Sequence, residues 1–148
     1  MTASSFDFWI GEWDVHWTDA DGVPQSGTNS VARVDETIRE LFCAPEPDGP
    51  YIGASMSRWN DDAGEWVQDY WDNRGYAAVF RGSHGDAGMV LERTSQPATG
   101  APTRLVWSDI TADAITWNYE RRTDSGAWES MWRILYRRRD TKGSAPPI

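Results

Sequence analysis

Apolar and polar residues alternate along most of this chain, and clusters of Gly, Asn, Asp and Pro break the alternation at short intervals. Alternation with period two is the signature of strands that bury one face. The stretch Phe6 to Val15, FDFWIGEWDV, shows where the pattern begins. Phe6, Trp9 and Ile10 have the i, i+3, i+4 spacing of one helical face. From Gly11 onward Trp13, Val15 and Trp17 alternate with Glu12, Asp14 and His16. The pattern predicts a short helical plug, capped by Ser4 or Ser5, that kinks at Gly11 into a first strand, Glu12 to Thr18.

Nine further strands follow. They are read at Val23 to Asp35, Thr37 to Ala44, Tyr51 to Trp59, Glu65 to Asn73, Tyr76 to Ser83, Met89 to Ser95, Thr103 to Asp109, Ala114 to Arg122 and Trp128 to Arg138. Asp19–Gly22, Asn60–Gly64, Asn73–Gly75, His84–Gly88 and Asp124–Gly126 supply turns, and the Pro-rich segments 45–50 and 96–102 supply loops. A meander of this kind leaves two exposed edges unless it closes on itself. The expected architecture is all-β: one closed antiparallel meander barrel of about ten strands, spanning residues 1–140, with the helical plug stopping one end. The polar tail 141–148 is expected to be flexible.

Composition changes this picture in one respect. Ten Trp, five Tyr and four Phe accompany a hydrophobic content of only 39%. Aromatic side chains must therefore fill much of the interior, and a barrel of this size leaves room for a small ligand between them. A net charge of −9 argues against nucleic acid and anionic membrane surfaces as partners. One cysteine, Cys43, excludes an internal disulfide and reads as buried packing. No signal sequence or apolar span is seen, so a cytoplasmic location is expected. His16 falls on the outward parity of its strand and His84 in a turn, and two isolated histidines do not make a metal site. No metal or other cofactor is expected.

Several segments together resemble a bacterial lipocalin-like family of uncharacterised proteins. They are FDFWIGEWDV, the run GASMSRWNDDAGEWVQDYWDNRG at 53–75, FRGSHGDAGMVL at 80–91, and the end NYERRTDSGAWESMWRILYRR. Gly11-Glu12-Trp13 is similar to the GxW signature of the lipocalin/calycin superfamily. The resemblance implies a barrel architecture rather than an activity. It also implies that Trp13 packs on a basic side chain of the last strand, either Arg133 or Arg138.

Strand parity then nominates the interior. Trp128, Trp132, Ile134 and Tyr136 share the apolar face of the last strand, and Ile115, Trp117 and Tyr119 that of the strand before. Residues 65–73 leave the choice open, since Trp66, Gln68, Tyr70 and Asp72 oppose Val67, Asp69 and Trp71. Ligand contacts are expected from Trp17, Phe42, Met56, Trp66, Gln68, Arg81, Arg104, Trp117, Tyr119 and Trp132, with Arg81 or Arg104 as the cation beside a buried acid. Glu40, which shares a parity with Ile38 and Phe42, joins Asp72 and Tyr70 as the candidate acid–base set if the barrel is an enzyme. Three readings stay open. The barrel binds a small apolar or aromatic molecule; or it is a cofactor-independent cyclase, isomerase or hydro-lyase; or it is a structural module, with Trp59 and Trp71 marking a homodimer surface.

Overall fold

The computed structural model describes residues 5–86, 88–94 and 100–139. The expected tail 141–148, Ser4 and most of the 96–102 loop lie outside these residues. The alternating pattern is realised as β1 (Gly11–Thr18), β2 (Pro24–Val34), β3 (Thr37–Ala44), β4 (Tyr51–Asn60), β5 (Glu65–Asp72), β6 (Ala77–Gly85), β7 (Gly88–Arg93), β8 (Thr103–Ser108), β9 (Ala114–Arg122) and β10 (Trp128–Arg138). Each strand pairs with its sequence neighbours, and β1 pairs antiparallel with β10 to close a ten-stranded barrel. Closure leaves no free sheet edge among the described strands. Among the described residues no helix is long and apolar enough to cross a membrane.

One end is sealed by aromatic packing. The expected helical plug is a correction: it is a single 3-10 turn of three residues, Asp7–Trp9, and no α-helix occurs among the described residues. The turn cannot lengthen because Ile10 is already extended, at φ −67° and ψ 130°, where the chain enters β1. Nor does Ser5 cap it; its Oγ accepts a hydrogen bond from Trp66 Nε1 at 3.1 Å. The turn nevertheless places Phe6 and Trp9 wholly inside. Phe6 stacks on Trp9 at 4.9 Å and meets Trp107 and Trp66 edge-on at 5.0 and 5.3 Å. His84 lies within β6 rather than in a turn, its ring 5.8 Å from that of Phe8.

Trp13 joins this floor to the barrel wall. Its indole N–H donates to the Trp9 carbonyl at 2.8 Å, and its ring meets Tyr136 edge-on at 5.7 Å. Of the two candidate arginines it is Arg138 that covers the ring, 4.2 Å from its centre. The same guanidinium donates to the carbonyls of Ile10 at 2.9 Å and Ala112 at 2.8 Å, so one side chain ties the turn, β1 and the β8–β9 connection together. Gly11 makes this possible. It has φ 150°, which L side chains rarely adopt, and a Cβ there would strike Arg138 Nη1.

The outer face corrects several assignments. In β10 the register shifts between Ser130 and Trp132, so Met131 is an extra residue relative to β9. A bulge of this kind exchanges the two faces of a strand. Trp132, Ile134 and Tyr136 point inward as expected, but Trp128 lies outside, under the guanidinium of Arg104 at 4.2 Å. Trp71 is 49% exposed, whereas Trp59 packs edge-on against Trp66 at 5.8 Å. Cys43 is only half-buried, on the face of β3 opposite Phe42.

Candidate functional site

The inner face of β5 is the one carrying Trp66, Gln68, Tyr70 and Asp72, which settles the parity that the sequence left open. With that choice the barrel interior divides into the packed floor and, beyond it, a cavity of about 350 Å³. The volume falls within the range of small-molecule sites, roughly 300–1,000 Å³. Its apolar wall is built by Phe42 of β3, Phe80 of β6, Leu105 of β8, Trp117 of β9 and Trp132 and Ile134 of β10. The rings of Phe42, Tyr51, Trp117 and Trp17 each meet Trp132 edge-on or nearly so, at 5.5 to 6.0 Å. Trp132 is thus the hub of one wall.

The polar groups fall into two sets. Deep in the cavity, Glu40 Oε1 accepts from Ser55 Oγ at 2.6 Å and Oε2 accepts from Asn29 Nδ2 at 2.8 Å. The same amide nitrogen donates to the Tyr136 hydroxyl at 2.8 Å. Burial raises the Glu40 carboxyl above its ordinary value, and the two hydrogen bonds only partly offset this. Tyr136 is raised as well, first by burial and then by the charge of Glu40. Toward the other end, the Tyr70 and Tyr51 hydroxyls are hydrogen-bonded, and Tyr51 donates to Asp72 Oδ2 at 3.2 Å. Burial pushes Tyr51 up to about 12 and raises Tyr70 too. Gly53 is required for this crossing, since a Cβ there would come within 2.5 Å of the Tyr70 hydroxyl oxygen.

Of the nominated residues, Glu40, Phe42, Gln68, Tyr70, Asp72, Trp117, Tyr119 and Trp132 line the cavity. Gln68 is held by donation to Ser57 Oγ at 3.1 Å. Asp72 has a structural task as well: its Oδ1 accepts from the backbone N–H of Arg74 and Tyr76 and shapes the β5–β6 turn. Trp66 belongs to the floor, and Trp17 packs against Phe42 and Trp132 beside a shallower outer groove. Three nominations are corrected by parity. Met56 stands on the face of β4 opposite the buried Ser55 and Ser57. Arg81 pairs with Glu65 at 2.5 Å and Arg104 with Glu120 at 2.7 Å, both on the outer surface. No Lys, Arg or His is among the described residues that line the cavity. Reading each strand alone missed Asn29, Ser55 and Tyr51, and it aimed Tyr136 inward without naming it as part of the site. Asn29 shares its face with Val31 while Val34 stands on the other, and Ser55 shares its face with Tyr51 and Trp59 while Ile52 and Met56 stand on the other, so apolar markers on both faces leave the parity open. Among the described residues no group of three or more His, Cys, Asp or Glu could hold a metal ion.

Glu40 leaves a mark on stability. Its pKa in the folded protein lies above the unfolded value near 4.5, so the folded state holds the proton more tightly. Stability from this group is then greatest below the unfolded value, declines as pH rises through the window up to the folded pKa, and is flat above it. Glu40→Gln should remove that decline. The expected result is a melting temperature above wild type at pH 8, with the gap closing toward pH 4, measured by thermal unfolding at each pH.

A scan of protein-family models finds no match to this chain. A search of curated proteins likewise finds no significant match.

Proposed function

We propose that the barrel binds a small apolar or aromatic molecule in the cavity between β3, β5, β9 and β10, and that Glu40 anchors one polar end of it. The observation that carries this reading is the cavity itself. About 350 Å³ of space remains in a barrel whose other half is filled solidly by Phe6, Trp9, Trp66 and Trp107. Packed interiors normally leave few voids larger than a water molecule, and a mostly apolar void with few polar groups is the form of a binding site. The closed meander and the Arg138–Trp13 stack behind Gly11 support a lipocalin-like reading of this barrel, which favours ligand holding. The cation expected beside the acid is not part of the proposed anchor, because Arg81 and Arg104 are paired outside.

A fluorescent apolar probe should give saturable, one-to-one quenching of the Trp emission in the micromolar range, and Trp117 and Trp132 would report it. Absence of any saturable signal up to the solubility limit of a probe panel would reject the binding reading.

A second reading is favoured by the Glu40 carboxyl, whose burial moves it toward the working range of a general acid or base. On that reading the chain is a cofactor-independent cyclase, isomerase or hydro-lyase, with Glu40 as the proton carrier and the Tyr70–Tyr51–Asp72 chain placing the substrate. Turnover that survives Glu40→Gln while binding is intact would sink it.

A further inference from the structure

We infer that the molecule held in the cavity is an organic cation, an apolar or aromatic skeleton ending in a protonated amine that meets Glu40. The inference rests on the binding reading above and adds the charge of the ligand. The formal charges on the cavity wall are two carboxylates, Glu40 and Asp72, and the described lining residues include no basic side chain. Two arginines that stack on interior rings are held outside the cavity. Arg138 covers Trp13 at the floor, and Arg93 stands over the Tyr76 ring, 5.4 Å from its centre, without lining the cavity.

The groups facing Glu40 come from four other strands. Asn29 comes from β2, Ser55 and Tyr51 from β4, Tyr70 from β5 and Tyr136 from β10. All are neutral side chains, and two of them donate to the carboxylate. Glu40 is half-buried and lines the cavity, and a carboxylate largely removed from water without a counter-charge is costly even when hydrogen-bonded. Beside it, Asn29 Oδ1 is a buried acceptor without a partner among the described residues. Asn29 itself does not line the cavity, so what the deep end presents to a ligand is the Glu40 carboxylate, with no basic side chain among the described lining residues. A ligand ammonium supplies both the missing charge and N–H donors. The aromatic walls of Phe42, Trp117 and Trp132 attract the same charge through their ring quadrupoles. An anionic ligand would face two acids with no cation, and a neutral one would leave Glu40 uncompensated.

The test uses three probes of one shape: naphthylmethylamine, naphthylmethanol and naphthoate, titrated calorimetrically into the whole protein. At neutral pH the amine should bind about tenfold or more tighter than the alcohol, the scale of one hydrogen bond between charged groups net of desolvation. Naphthoate should bind weakest. In Glu40→Gln the amine should lose its advantage and bind no tighter than the alcohol does in the same variant. A pH series on the wild type reads the same group without any variant. An alkylammonium stays charged from neutral pH downward, so the ratio of amine to alcohol affinity should shrink as Glu40 takes up its proton. Equal affinity of amine and alcohol in the wild type would overturn this inference and leave the binding reading standing. Failure of all three probes to bind would overturn both.

Discussion

Replacing Trp13 with Ala should destabilise the barrel by about 4 kcal/mol, the range of large aromatic truncations in a packed core. Trp13 is completely buried and holds three different things together. Its N–H fixes the 3-10 turn through the Trp9 carbonyl, its face carries Arg138, and its edge meets Tyr136 of the closing strand. Loss of the ring leaves a cavity at the floor. It also removes the surface on which the guanidinium is positioned to reach Ile10 and Ala112. A domain of this size has a total stability of only about 5–15 kcal/mol, so a large part of it is at stake. The measurement is the urea midpoint at unchanged slope. Trp71→Ala is the control: that ring is half exposed on the outer face, and its removal should change stability by no more than about 0.5 kcal/mol. Equal losses for the two variants would show that the floor is not the keystone of the barrel.

Trp132→Ala should have its main effect on binding. Trp132 is only partly buried, and the atoms it would expose face the cavity rather than the floor. It contacts Trp17, Phe42, Tyr51 and Trp117, and its removal takes the common neighbour from four aromatic rings at once. Losing a large aromatic contact costs about 1–3 kcal/mol of binding energy. That corresponds to roughly five- to 150-fold weaker binding of an aromatic probe such as naphthylmethanol. The melting temperature should fall less than in Trp13→Ala. An unchanged probe affinity alongside a lowered melting temperature would mean that Trp132 serves packing alone.

Read by strand, the candidate site was partly legible. Glu40, Phe42, Trp117, Tyr119 and Trp132 sit in strands whose apolar neighbours mark the inner face, so alternation alone aims them inward. Arg81, Arg104 and Met56 could not be placed this way, because each is long enough to look useful on either face. The structure puts Met56 on the outer face and gives both arginines acidic partners there. The expected cation in the cavity disappears with them, and the character of the site changes from an ion pair to an uncompensated acid.

What the sequence by itself determined is the number and order of the strands, their closure into a barrel, and the aromatic stopper at one end. These follow from local causes: period-two burial, turn residues, and the cost of open edges. What only the tertiary structure decided is which face of each strand is inside where local markers fail. In β5 both faces carry large apolar residues, so alternation cannot choose. In β10 the extra residue Met131 reverses the parity, turning Trp128 out while Trp132 stays in. The stretch FDFWIGEWDV shows the same division within ten residues. Its pattern marks where β1 begins, but one 3-10 turn, a glycine at φ 150° and an arginine more than a hundred residues away make it the floor of the cavity.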